Sequence, residues 1–353
     1  MPPRKPQPPR DSPAPRPNIR LIAREAGVSP STVSRFLNGN SYVSAEARRV
    51  IARVIRKHDY RPSLIAQGLA RGKSRLIGAI ATDAKNPITG EMIQGLVEQL
   101  GEHGYSLLVS YSQGSIESEE AALHLMRQIN PAAIVVFFEA KKDSEPFVRQ
   151  LQDVAAKEGI PIILAGDRPG NQTLDCLTYD SEAGAYLATR HLLQNGYGEV
   201  GCVTGSMETQ EGRLRFDGFR RALVEENVPF RPEWVHHGRF EKEDGYRALH
   251  AFHKRGSVPR ALVCCNDTTA LGVYLAAEEL GIAIPGRLAV IGCDNIELSR
   301  MVRPRLSTVS FNHLRGGDAL LKLLLDRLED PAMPRQRLVA APVVVEREST
   351  RRG

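Results

Sequence analysis

Residues 19–37 carry the sharpest chemical signal in the sequence, because small, turn-forming, capping and hydroxyl residues recur there at the spacing of two short crossing helices. Ala23 puts a small side chain where the helices must approach, and Gly27, four residues on, suits a tight turn with φ > 0. Ser29 can cap the second helix, and Pro30 fits its first turn, where a missing N–H costs little. Val28, Val33 and Leu37 supply apolar contacts between the two helices, which leaves Ser31, Thr32, Ser34 and Arg35 facing outward. Short hydroxyls reach phosphates, and a guanidinium can pair bidentately with guanine, so this face has the chemistry of a helix entering a DNA major groove.

A second group of chemistry-bearing residues is scattered in sequence, each close behind an apolar run. Asn86 follows Leu76–Ala81, Phe240 follows residues 234–238, Asp294 follows residues 290–293, and Arg215 falls in the helix expected after Val200–Thr204. Carboxylates and amides chelate neighbouring hydroxyls, a guanidinium donates paired bonds, and an aromatic face covers the C–H side of a ring. Together these types suit a small polyhydroxylated ligand.

The elements that must position these residues are of two kinds. In the first 60 residues the pattern is helical throughout: after the helix pair and a polar loop at 38–42, Ser44 caps a third helix running to about His58, with Ala47, Val50, Ile51, Val54 and Ile55 on one face. Residues 60–75 form a short segment that Pro62 can open and that Gly68 and Gly72 weaken, so it is marginal alone and suited to folding on docking. From Leu76 onward apolar runs alternate with amphipathic helices. Strands are expected at Leu76–Ala81, Ser106–Ser110, Ala133–Phe138, Ile160–Ala165, Cys176–Tyr179, Val200–Thr204, Ala261–Cys265 and Leu288–Cys293. That succession implies parallel sheets covered by helices on both faces, and ligands then bind beyond the carboxyl ends of the strands. The expected fold class is a small all-α helix-turn-helix head followed by an α/β two-lobed body.

Charge separates the same two parts. The chain has 353 residues and a net charge of +6, but residues 1–75 hold 16 Lys and Arg against 4 Asp and Glu, while the remainder holds 31 against 37. A basic head on an acidic body is the footprint of a nucleic-acid-binding module joined to something that is not one. The first 17 residues contain eight prolines and read as a disordered basic arm. Cys176, Cys202, Cys264, Cys265 and Cys293 lie in apolar runs without a C-x-x-C pair, which fits buried, reduced thiols in a cytoplasmic protein. No secretory h-region and no apolar run approaching about 18 residues occurs, so neither secretion nor a membrane partner is expected.

The stretch Val28-Ser-Pro-Ser-Thr-Val-Ser-Arg-Phe-Leu-Asn38, with Tyr42-Val-Ser44 and Tyr60-Arg-Pro62, closely resembles the lactose/galactose-repressor (LacI-type) family. The body continues the resemblance in order, through Ile77-Gly78, Asp83, Asn86-Pro87, Gly104-Tyr105, Asp180 with Gly184, His191-Leu192, Arg215 with Gly218, Asn266-Asp267 and Gly292-Cys-Asp294. The resemblance implies a periplasmic-binding-protein-like body of two lobes, the N-lobe at about 76–183 plus 310–334 and the C-lobe at about 184–309 plus 335–348. These follow an arm at 1–17, a DNA-binding domain at 18–60 and a hinge or linker at 61–75. It places Arg35 as a base-contacting residue and Pro30 and Ser31 at positions that help select the DNA sequence. It assigns Ser63 to Ala70 to a hinge helix, with Ser63, Ala66 and Leu69 on DNA and Leu69 as a wedge at the central minor-groove step. For the ligand it singles out Arg215 and Asp294, then Asn266, Asp167 and His313, whereas Asp267 reads as the N-cap of a helix beginning at Thr268. Two departures stand out: Ser63 replaces a common asparagine, and Ile88 follows Asn86-Pro87 where the family usually has an aromatic.

Enzyme readings fare poorly. Gly68 to Ser74 is one residue short of a phosphate-binding P-loop and lacks a preceding strand, and no G-x-S-x-G or strand-linked G-x-G-x-x-G occurs. Only His250 and His253 share a helix face among the nine histidines, so neither metal nor cofactor is expected. The expected function is a ligand-responsive transcriptional repressor that binds a pseudopalindromic double-stranded DNA operator as a homodimer, with a sugar-like effector in the interlobe cleft. Alternatives are a nucleobase, sugar acid or sugar phosphate acting as corepressor, or a sugar-binding receptor without a regulatory role. A tetramer stays open, although Glu346 to Gly353 shows no leucine heptads for a coiled-coil tail.

Overall fold

The computed structural model describes residues 17–37, 42–60, 74–82, 86–112, 115–137, 144–166 and 171–352, apart from the side chains of 313–315. The arm at 1–16, the hinge residues Ser63, Ala66 and Leu69, and Asp83, Phe138 and Asp167 lie outside them. The chain divides into two compact units, 1–74 and 75–353.

In the first unit, α1 (Ile19–Glu25), α2 (Pro30–Leu37) and α3 (Ala45–Lys57) pack their apolar stripes together. Ile22, Val33 and Ile51 are fully buried, with Ala23, Val43 and Val54 around them. Asn18 and Ser44 cap α1 and α3 through side-chain oxygens that accept from Leu21 N–H and Ala47 N–H. Gly27 adopts φ 65°, the left-handed turn its position demanded.

The second unit holds two six-stranded sheets. The first runs through β1 (Leu76–Ala81), β2 (Ser106–Tyr111), β3 (Ala133–Phe137), β4 (Ile162–Ala165), β5 (Asp175–Tyr179) and β11 (Arg337–Ala340), in the order β11-β5-β4-β3-β1-β2 and parallel throughout. The second contains β6 (Val200–Thr204), β7 (Val235–His237), β8 (Ala261–Cys264), β9 (Ala289–Cys293), β10 (Ser307–Ser310) and β12 (Val343–Val345), in the order β12-β10-β9-β8-β6-β7. Only β12 runs antiparallel there. Helices α4 (Pro87–Glu102), α5 (Ile116–Gln128) and α6 (Glu145–Glu158) belong to the first lobe, and α7 (Ser181–Gln194), α8 (Gln210–Glu225), α9 (Lys242–Lys254) and α10 (Asp267–Glu279) to the second. A short α11 (Leu298–Met301) follows β9, and α12 (His313–Glu329) returns to pack on α4. Each sheet buries both faces: Ile77, Ala79 and Ala81 point into one cluster of the first lobe and Ile80 into the other.

The chain crosses between the sheets at Asp180, at 311–312 and at 341–342. The third crossing differs from the sequence expectation, which gave everything after 334 to the C-lobe. β11 instead pairs with β5 along Arg337↔Cys176 to Ala340↔Tyr179, so residues 337–340 belong to the N-lobe sheet. The first crossing comes at Asp180, because α7 begins at Ser181 and packs beneath the second sheet. Strands β10, β11 and β12 were not among the runs read from the sequence, and β7 falls within the 234–238 run noted ahead of Phe240.

Gly218 shows how tightly α7 and α8 cross: a Cβ there would stand 2.1 Å from the Glu182 carbonyl oxygen. Gly218→Ala is therefore expected to destabilise the body by about 1–3 kcal/mol through overpacking. Gly198→Ala, with open space at its Cβ position, should melt within a degree or two of wild type. Equal melting temperatures for the two variants would refute the crossing argument.

Candidate functional site

In the head, the second helix, α2, is built from its cap outward. The Thr32 N–H donates to Ser29 Oγ at 3.2 Å, and that hydroxyl also lies 2.7 Å from Ser31 Oγ and 2.8 Å from Thr32 Oγ1. Three hydroxyls thus form one cluster at the N-terminus of α2, where the helix dipole and the cap favour an anion such as phosphate. Pro30, Ser31 and Arg35 are exposed, Thr32 and Ser34 half-buried, and Val33 turns inward. Arg49, Arg53, Arg56 and Lys57 are exposed along α3, whereas Arg48 folds back so that its Nε donates to the Val43 carbonyl. Glu25 joins α1 to the end of α3, 2.8 Å from Lys57 Nζ and 2.9 Å from His58 Nε2. His58 and Lys57 beside it hold its carboxyl at about 2, so it stays ionised.

In the body, Arg215, Phe240, Asn266 and Asp294 come together beyond the carboxyl ends of β6, β7, β8 and β9. Arg215, on α8, points Nη1 at the Cys265 carbonyl and Nη2 at Asp294 Oδ1, 3.4 Å away. Both side chains are largely withdrawn from water, at 15% and 12% exposure. Arg215 Cζ lies 5.8 Å from the Phe240 ring centroid, a cation–π arrangement. Phe240 takes φ 70°, and its ring covers Gly205 so closely that any Cβ there would clash. Among the described residues, Arg215 Nε is buried without a hydrogen-bond partner. An orphaned donor beside a carboxylate and a ring face fits a ligand with hydroxyl or carbonyl oxygens.

Other candidates take different places. Asn266 is the N-cap of α10: its Oδ1 accepts from Thr269 N–H at 2.8 Å, and its Nδ2 donates to the Phe240 carbonyl at 3.0 Å. This corrects the expectation that Asp267 caps a helix starting at Thr268. Asp267 is the first helical residue, fully buried, and accepts from Ile296 N–H and the Thr308 hydroxyl. Asn266 thus shapes the site by holding Phe240, with both ends of its amide engaged. Asn86 lies exposed at the start of α4, which it caps by accepting from Ile88 N–H at 3.0 Å. The His313 backbone opens α12; its side chain, like Asp167, lies outside the described residues.

Sequence reasoning missed two residues near Asp294. Tyr179, at the end of β5, packs edge-on against Phe311 and lies 3.2 Å from Met92 Sδ, and burial together with Asp294 pushes its phenol up. Glu91, on α4, has its carboxyl raised by burial and then by Asp294 and Glu297, against a smaller opposing effect of Arg300. Nothing local in sequence links Glu91 to a loop some 200 residues away. All five cysteines are buried and reduced, and burial pushes Cys265 up to about 12, so thiolate chemistry has no part here. Among the described residues no group of three His, Cys, Asp or Glu is placed to hold a metal, and no helix is long and apolar enough to cross a membrane.

Comparison with known proteins agrees with both halves. The profile of bacterial regulatory proteins of the lacI family matches residues 18–63, and that of a periplasmic binding protein-like domain matches residues 189–350. The HTH-type transcriptional repressor PurR of Pasteurella multocida is 31% identical over 334 residues, spanning 94% of this chain and 98% of the relative. PurR of Yersinia pestis is 31% identical over 337 residues, spanning 95% and 97%. Among solved structures, the Lac repressor dimer bound to operator and the anti-inducer ONPF aligns with a TM-score of 0.81 at 24% identity, covering 94% of this chain and 98% of that one. A LacI family regulator from Enterococcus faecium with bound ribose aligns at 0.69 and 24% identity over 78% of this chain and 98% of that one.

The raised Glu91 carboxyl has a testable sign. With a folded-state value above the usual 4.5, its contribution to stability is present at low pH and lost as pH rises through the raised value. Glu91→Gln should therefore match wild type near pH 4 and become the more stable of the two toward pH 7.5, read by thermal melts across that range. Parallel curves at every pH would mean that the Glu91 carboxyl is not raised in the folded protein.

Proposed function

The chain belongs to the lacI family of bacterial regulatory proteins, and we propose that two copies bind a pseudopalindromic operator under the control of a neutral, polyhydroxylated effector held at Arg215 and Asp294. As a transcriptional repressor with a DNA-binding head and a ligand-binding body, it needs a groove-reading element and a ligand switch. The observation that carries the ligand half is Arg215: a buried guanidinium paired to Asp294, backed by Phe240, with one donor unused among the described residues.

On this reading Ser29, Ser31 and Thr32 engage phosphate at the start of α2, Arg35 reads a base edge, and Pro30 and Ser34 shape the fit. Ser63, Ala66 and Leu69 dock in the minor groove between the two heads, with Leu69 prying open the central step. Asn86, Asp167 and His313 complete the ligand site from the N-lobe side, Asn266 by fixing Phe240. Burial and then Asp294 and Glu297 raise the Glu91 carboxyl, and a corner already crowded with acid favours a neutral sugar over a sugar acid or sugar phosphate. A nucleobase, also neutral, would set its ring on Phe240. Ligand and DNA affinities are then coupled reciprocally, at about 1–3 kcal/mol as is usual for such switches.

Selection of bound duplexes from a random-sequence library is expected to return an inverted repeat. Arg35→Ala should lose about 1–3 kcal/mol of discrimination at one base pair in each half-site while keeping non-specific binding. Recovery of a direct repeat, or unchanged discrimination, would overturn the head assignment. For the cleft, melting is followed with D-ribose, D-galactose, cellobiose and hypoxanthine, together with ribose 5-phosphate and gluconate as anions. A bound compound at about 100 times its Kd adds about 2.7 kcal/mol, and Asp294→Asn should abolish that shift without changing operator affinity. A response only to the anions would overturn the neutral-effector reading.

A further inference from the structure

Asp294 and Asn295 both adopt positive φ, 111° and 57°, which side chains other than glycine rarely hold without support. The support is visible at each of three successive amides. Asp294 N–H donates to the Val309 carbonyl at 2.7 Å, Asn295 N–H to Thr308 Oγ1 at 3.2 Å, and Ile296 N–H to Asp267 Oδ2 at 2.9 Å. Because the Thr308 hydroxyl accepts from Asn295, its own proton is directed to Asp267 Oδ1, 2.6 Å away. Asp267 and Thr308 are fully buried. Gly292 permits the approach, since a Cβ there would sit 2.1 Å from Asp267 Oδ1.

The side chain of Asn295 is held from another direction. Arg347, beyond the third crossing, donates through Nη2 to Asn295 Oδ1, and through Nη1 to Ser299 Oγ at 2.9 Å and the Leu306 carbonyl at 2.6 Å. The segment after β12 that carries it is pinned in turn: Arg347 N–H donates to Ser307 Oγ at 2.8 Å, and Ser349 Oγ donates to the Val290 carbonyl at 2.6 Å. Ser349 and Thr350 are wholly buried.

We propose that Asp267, Thr308 and Arg347 are positioning residues that lock Asp294 and Asn295 in their positive-φ conformation, aim the Asp294 carboxylate at Arg215, and make ligand recognition depend on the C-terminal segment after the third crossing. The proposal rests on the assignment of Asp294 to the ligand, but its central observable needs no ligand. No member of the trio touches Arg215; each acts through the 294–296 backbone or the Asn295 side chain.

The test is hydrogen–deuterium exchange on the full-length protein, comparing wild type with Thr308→Val, Thr308→Ser and Arg347→Lys. Thr308→Val keeps the side-chain shape and removes both roles of the hydroxyl, so the Asn295 and Ile296 amides should exchange at least tenfold faster while β6 and β8 stay protected. Thr308→Ser restores the hydroxyl and should return the rate to within about threefold of wild type. Arg347→Lys, which keeps charge but loses the fork, should loosen Asn295 to Ser299. Any shift in melting temperature that D-ribose, D-galactose, cellobiose or hypoxanthine produces in wild type should vanish in Thr308→Val and reappear in Thr308→Ser. Unchanged exchange in Thr308→Val, or a serine variant as fast as the valine one, would overturn the proposal. Absence of any ligand shift in wild type counts against the effector reading alone and leaves the exchange result to decide the brace.

Discussion

A guanidinium withdrawn from water must be compensated, and the C-terminal lobe is organised around that requirement at Arg215. Its compensation comes from three strand ends at once: the Cys265 carbonyl behind β8, the Asp294 carboxylate behind β9, and the Phe240 ring presented after β7. A parallel sheet supplies this convergence without special invention, because all its loops at one edge face the same space. At 3.4 Å the ion pair is not a tight bidentate clamp. A buried pair of that kind contributes little to stability by itself, since desolvation offsets most of the attraction. What it offers is a donor and an acceptor already stripped of water, which a ligand can use without paying for that step again.

The glycines record how close the surrounding elements must come. Gly205 admits the Phe240 ring, Gly292 admits Asp267, and Gly218 lets α8 lie against α7. Each removes a Cβ where a functional group, or the helix bearing one, has to stand. The orientation of Arg215 thus depends on the α7–α8 crossing, and that of Asp294 on the approach of α10 to β9.

Much of this was legible in the sequence, and the gaps have physical causes. The head could be read residue by residue because its signals are local: Gly27 at a positive-φ turn, Ser29 and Ser44 at caps, Val33 and Ile51 inward. Eight strands, and the 234–238 run that holds β7, were visible as apolar runs because both faces of each sheet are covered. β10 escaped because Ser307–Ser310 is rich in hydroxyls that bond to Arg347 and Asp267, and β11 and β12 because their few residues are exposed or half-buried. The exchange of roles between Asn266 and Asp267 reflects two adjacent residues that both cap well; only the buried partners Ile296 and Thr308 decide between them. Glu91 and Tyr179 reach Asp294 only through the fold, so no window of sequence contains that information.

The two units also differ in what holds them. The head rests on a cluster of six buried apolar side chains, a core too small to leave much margin, so its caps and the Glu25 clamp carry a larger share of its stability. That clamp has a second consequence. By pairing Lys57 and His58 it takes charge away from the junction of α1 and α3, while Arg35, Arg49, Arg53 and Arg56 keep theirs exposed. Phosphate attraction is salt-screened and indifferent to sequence, so each cation that meets only phosphate strengthens specific and non-specific binding alike. On the proposed reading discrimination comes from α2, with Arg35 at a base edge and the hydroxyls of its first turn fixing the helix on phosphate. There the hydroxyl cluster on Ser29 limits the rotamers of Ser31 and Thr32 before any partner arrives, lowering the entropy lost on binding. The same principle operates in both units: at α2 as at Asp294, the groups that must recognise are held in place by hydrogen bonds made within the protein.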